Sequence, residues 1–83
     1  MDTITITLHA HLKKKAGTDR VELRVPFGTT VSELKAVLLE HYPRLRPQLA
    51  NVVTLVNKKT FYLEHEALPP AAEVTFLPPI GGG

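Results

Sequence analysis

Polar and apolar residues alternate strictly from Thr3 to Leu8. Ile4, Ile6 and Leu8 fall on one face, and Thr3, Thr5 and Thr7 on the other. That period of two predicts a half-buried strand rich in β-branched residues. Lys13 to Asp19 carries turn chemistry, with Gly17-Thr18-Asp19 as the break. Val21, Leu23 and Val25 then alternate with Glu22 and Arg24, predicting a second strand that Pro26 and Gly28 end. The two strands are expected to pair as an antiparallel hairpin. At Thr30 the period changes. Thr30 and Glu33 form a Thr-x-x-Glu capping box ahead of Val31, Leu34, Val37 and Leu38, a stripe at helical spacing that reaches His41 or Tyr42. Pro43 stops this helix after about 11 or 12 residues. Arg44 to Ala50 reads as irregular with one short turn. Val52–Val56 reads as a central strand, Asn57-Lys58-Lys59 as a turn, Phe61–Leu63 as a short strand, Leu68-Pro69-Pro70 as a loop and Glu73–Leu77 as the last strand.

The predicted order is β-β-α-β-β-β. One amphipathic helix can cover one face of one sheet, so the class is α+β, with two layers and a single core. The strand after the helix is expected to return beside the first, where a crossover of this length permits a parallel pair. This is the β-grasp, or ubiquitin-like, arrangement: a mixed sheet of about four or five strands with one main helix.

Length and composition narrow the function more than the fold. The 83 residues make one domain. Residues 1–77 are expected to form its body and residues 78–83 a tail. No apolar run approaches a membrane span, and the N-terminus lacks the basic start and apolar stretch of a secretory signal. With no cysteine, disulfides, thiolate metal sites and a cysteine nucleophile are excluded. A cytoplasmic location is expected. The net charge of +2 is weakly basic. Lys13, Lys14 and Lys15 form the only basic run, without interleaved aromatics, and read as a solvated loop. No nucleic-acid partner is expected. His9, His11, His41 and His65 are too scattered for a metal signature, so no metal and no bound cofactor are expected. Glu64, Glu66 and Glu73 read as solvated acids.

The chemistry concentrates in Gly81-Gly82-Gly83, after Pro78, Pro79 and Ile80. Glycines offer no proton donor, ligand or packing group. They can thread a slim chain and its terminal carboxylate into a narrow site on another protein. The prolines stiffen the approach, because each fixes φ and removes a donor. Taken alone, three glycines fit a frayed terminus equally well.

The preceding residues shift that balance. Glu73 to Gly83, ending Leu77-Pro78-Pro79-Ile80-Gly81-Gly82-Gly83, resembles the C-terminus of the molybdopterin synthase small subunit family. That family ends in a strand running into Phe-Pro-Pro-Val-x-Gly-Gly. Leu77 stands for the phenylalanine, Ile80 for the valine and Gly81 for the variable position, leaving Gly82-Gly83 as the diglycine. Gly17-Thr18-Asp19 matches the turn after the family's first strand, and Leu55-Val56-Asn57 resembles its Val-Asn turn. The resemblance covers the chain in length and element order, but only the tail is specific. Pro69-Pro70-Ala71-Ala72-Glu73 departs from the Gly-Asp turn common in relatives, away from the tail.

The resemblance implies a sulfur carrier. An adenylating enzyme would use ATP to activate the Gly83 carboxylate, and a sulfur donor would convert it to a thiocarboxylate. The tail would then enter the large catalytic subunit of the synthase. There the sulfur would build the dithiolene of molybdopterin from a cyclic pyranopterin monophosphate. Gly82 supplies slimness beside the reacting carbon. Residues 78–83 span at most about 20 Å, and the tail is expected to be mobile until docked. Strand parity adds a docking surface. Leu77 and Phe61 are expected on the open sheet face, with Val74, Phe76 and Tyr62 turned inward, and Pro78, Pro79, Ile80 and Gly81 lead from it. Other readings are a sulfur carrier for thiamine, cysteine or tRNA thiolation, a ubiquitin-like protein modifier, and a binding module with an inert tail.

Overall fold

A computed structural model describes residues 1–78. Its elements run β1 Asp2–Leu8, α1 Ala10–Ala16, β2 Arg20–Val25, α2 Val31–His41, a 3-10 turn at Pro43–Leu45, α3 Arg46–Leu49, β3 Val53–Val56, β4 Thr60–Tyr62 and β5 Glu73–Leu77. The five strands form one sheet in the order β2-β1-β5-β3-β4. β1 is antiparallel to β2 and parallel to β5, and β3 is antiparallel to both β5 and β4. This is the expected β-grasp sheet with α2 across one face.

Several expectations are corrected. β1 and β2 do pair antiparallel, from Asp2↔Val25 to Thr7↔Arg20, but a helix joins them instead of a loop. α1 has seven residues and buries only Leu12, too little for a periodic stripe to show in sequence. Alanine, leucine and lysine favour it. Gly17 ends it at φ +77, its N–H donating to the Lys13 carbonyl at 2.9 Å. The second correction concerns sheet order. The strand beside β1 is β5, not β3. Runs of β-branched residues mark a strand but not its rank, and the centre is taken by Val74 and Phe76, both fully buried. The stretch from Arg44 to Ala50 is also more regular than expected. Its 3-10 turn and α3 bury Leu45 and Leu49.

α2 buries Val31, Leu34 and Leu38 against Ile4, Ile6, Leu8, Val56, Val74 and Phe76. The capping box is present. The Glu33 N–H donates to Thr30 Oγ1 at 3.2 Å, and the Thr30 N–H donates to Glu33 Oε1 at 2.9 Å. The two earlier orphan donors of the helix are met by the β4–β5 connection. The Val31 N–H donates to the Glu66 carbonyl at 3.1 Å and the Ser32 N–H to the Glu64 carbonyl at 2.9 Å. Lys35, only 8% exposed, reinforces this strap. Its ammonium pairs with the Glu64 carboxylate and sits 5.8 Å from the centre of the Phe76 ring. Glu64 is thus a structural partner and not a freely solvated acid.

At the sheet end far from Leu77, the buried Asp2 carboxylate accepts the Ala71 N–H at 2.9 and 3.1 Å. Ala71 lies at φ +54, so this bond holds a turn that costs backbone strain.

Candidate functional site

The strand directions place the start of the tail. β1 ends at Leu8, opposite Phe76, and Leu77 is the partner of Val53 at the start of β3. The chain therefore leaves the sheet centre at Pro78, which is exposed. Pro79, Ile80, Gly81, Gly82 and Gly83 lie outside the described residues.

The open face beside this exit follows from the same register. Val53 opposes Leu77, and Leu55 opposes both Phe61 and Thr75. Direct partners share a face. Val53, Leu55, Phe61 and Leu77 thus stand together on the side away from α2. Phe61 is 58% exposed, while Leu77, Val53 and Leu55 are half-buried. Leu63 follows β4 at the tail end and is 63% exposed. Tyr62 is half-buried and packs against the core, and Val74 and Phe76 are buried, as strand parity predicts. Sequence reasoning picked Phe61 and Leu77 but missed Val53, Leu55 and Leu63. The alternation Val53-x-Leu55 held the signal, hidden because its neighbours Val52, Thr54 and Val56 are also mostly β-branched and apolar.

A patch of five apolar side chains, two of them largely exposed, is what a protein interface requires at its core. Among the described residues no three His, Asp or Glu side chains gather as a metal site. His9, His11, His41 and His65 are all exposed and dispersed. No helix among the described residues is long and apolar enough to cross a membrane.

A five-stranded mixed sheet, one covering helix and a C-terminal strand leading outward from its centre define a ubiquitin-like β-grasp protein. The sequence family is equally plain. Residues 6–83 match the ThiS family, and the chain belongs to it: it is a ThiS-type, ubiquitin-like sulfur carrier. No curated protein sequence matches significantly. Among solved structures the chain resembles small archaeal modifier protein 1 from Haloferax volcanii, with 24% identity and a TM-score of 0.84 over 98% of this chain and 99% of that one. It also resembles a Pyrococcus furiosus protein assigned as molybdopterin converting factor, subunit 1, with 20% identity and a TM-score of 0.84 over 96% and 100% of the two chains. A third likeness is to a complex of subunits 1 and 2 of molybdopterin-converting factor from Helicobacter pylori, with 16% identity and a TM-score of 0.67 over 98% and 99%. At these identities the structural likenesses establish the fold.

Proposed function

We propose that this chain is the sulfur-carrying small subunit of molybdopterin synthase, acting in the cytoplasm. The observation that carries the reading is the sequence Leu77-Pro78-Pro79-Ile80-Gly81-Gly82-Gly83, continuing from the central strand beside an open apolar face. The structural likeness to proteins named as converting-factor subunit 1, one of them in complex with its subunit 2, supports it.

The chemistry follows from the terminal carboxylate being a poor electrophile. A Gly83 oxygen attacks the α-phosphate of ATP on the activating enzyme and pyrophosphate leaves, giving an acyl adenylate. A donor supplying sulfur at the sulfide level displaces AMP and leaves a thiocarboxylate on the main chain. In the large subunit the thiocarboxylate sulfur bonds to the cyclic pyranopterin monophosphate, and water then cleaves the acyl–sulfur bond, leaving the sulfur on the pterin and restoring the Gly83 carboxylate. Gly81 and Gly82 admit the narrow passage in both partners, and the patch of Phe61, Leu63 and Leu77 seats the body outside it.

The test is intact mass after incubation with an activating enzyme, ATP and a sulfur donor. Replacement of one oxygen by sulfur is expected, and an unchanged mass with a competent enzyme refutes the carrier chemistry. Co-purification with a large synthase subunit assigns the pathway against thiamine, cysteine or tRNA thiolation. A second reading, a protein modifier, draws on the likeness to small archaeal modifier protein 1. Isopeptide conjugates on target lysines would favour it.

A further inference from the structure

We propose that a cationic shoulder at the tail-exit end, formed by Lys13, Lys14 and Lys15 of α1 and Arg44 of the 3-10 turn, is the electrostatic docking surface for an acidic face of the tail-activating enzyme. The inference rests on the carrier reading above and extends it to a surface remote from the apolar patch.

Topology brings these cations to one end of the body, on two sides of α1. α1 starts two residues after β1 ends, at the end of the sheet where β5 releases the tail. α2 runs back to the same end, and the 3-10 turn that follows it packs on α1. One cleft is lined by Lys15, Ala16, His41, Tyr42, Pro43 and Arg44. On the other side of α1, Lys13 and Lys14 line a second cleft with His11 and Thr18. A third groove, holding His9, Leu12, Gln48 and Pro78, connects α1 to the base of the tail. The shoulder therefore adjoins the point where the tail leaves the body.

These charges have no partner within the described residues, where the one ion pair is Lys35–Glu64. Asp19 and Glu40, their nearest acids in sequence, pair with none of them. The helix dipole favours cations in the last turn, where Lys13, Lys14 and Lys15 all stand. It does not account for Arg44, which reaches the cleft from another element. The chain has ten Lys and Arg against eight Asp and Glu, so with four cations on the shoulder the remainder is net acidic. This separation of charge orients the tail-exit end toward a negative surface. Complementary fields of this kind act mainly on encounter rate and register. An acidic protein face fits better than nucleic acid, because the one large aromatic ring of the shoulder, Tyr42, is half-buried and packs against the core, so it offers no free face on which bases could stack.

The experiment measures ATP-dependent thiocarboxylation by the activating enzyme, with KM and kcat separated, for the full chain and two variants. One is Lys13→Glu/Lys14→Glu/Lys15→Glu. The other, Arg44→Glu, lies outside α1 and guards against a variant that merely loses its helix. Both are first checked for an unchanged melting curve. At low salt KM is expected to rise roughly tenfold in the triple variant and severalfold in Arg44→Glu, with kcat unchanged. The difference should shrink as salt approaches about 0.5 M. Equal KM in folded variants and wild type overturns the shoulder while leaving the carrier reading intact. Absence of thiocarboxylation in the wild type removes the carrier reading itself. Unchanged enzyme KM with salt-dependent retention of wild type alone on transfer RNA also overturns the proposal, in favour of nucleic acid.

Discussion

The Lys35–Glu64 pair predicts an unequal response to breaking it from its two sides. The Lys35 side chain is 10% exposed and that of Glu64 is 59% exposed. Glu64→Ala leaves an ammonium under the strap with only the Phe76 ring for company. A fully buried pair broken this way costs about 3–5 kcal/mol, but exposure of the lost carboxylate discounts that to about 1–2 kcal/mol here. Lys35→Met instead removes the desolvated charge, fills a similar volume against Phe76 and leaves a carboxylate that water can solvate. Its stability should stay within about 1 kcal/mol of wild type. At about 2 cal/mol/K of unfolding entropy per residue, each kcal/mol moves the melting midpoint of this chain by about 6 °C. Glu64→Ala should therefore melt roughly 6–12 °C below wild type, and Lys35→Met within about 6 °C of it. Thermal unfolding followed by circular dichroism decides the matter. Equal losses, or a greater loss from Lys35→Met, would refute the claim that the burden lies on the lysine. Because Leu63 adjoins the same strap, Glu64→Ala should also weaken docking of the open face, and Lys35→Met should not.

Thr30→Ala removes the hydroxyl that accepts the Glu33 N–H and should cost about 1 kcal/mol in the same melt, with no change in the folded spectrum. Phe61→Ala should leave the melting midpoint nearly unchanged, since the ring is mostly exposed, yet weaken binding to the activating enzyme or large subunit by roughly tenfold or more in a titration. Deleting Gly83 should abolish synthase turnover while preserving the melting curve, and retained turnover would move the reacting carbon elsewhere.

Much of the body was legible because its periods are clean. The Ile4-Ile6-Leu8 alternation and the Thr30–Glu33 box are each enough to fix an element, and both stand where expected. α1 was hidden because a helix of two turns buries one side chain, Leu12, while its lysines and Gly17 imitate a turn. The rank of β5 was hidden because burial on a strand reports which side faces the core, not which neighbours it has. The open patch was half visible. Phe61 and Leu77 follow from parity, but Leu55 joins them only through a register set by long-range pairing.

The position of β5 has a mechanical consequence. A partner that withdraws the tail pulls along the axis of a strand held on both sides, four residues in register with β1 and four with β3. Such a load shears both ladders together and cannot open them one bond at a time, as it would at a sheet edge. In the carrier role proposed above, the body would act as a grip: the tail would be drawn from one active site and delivered to the next while the domain behind it stays folded.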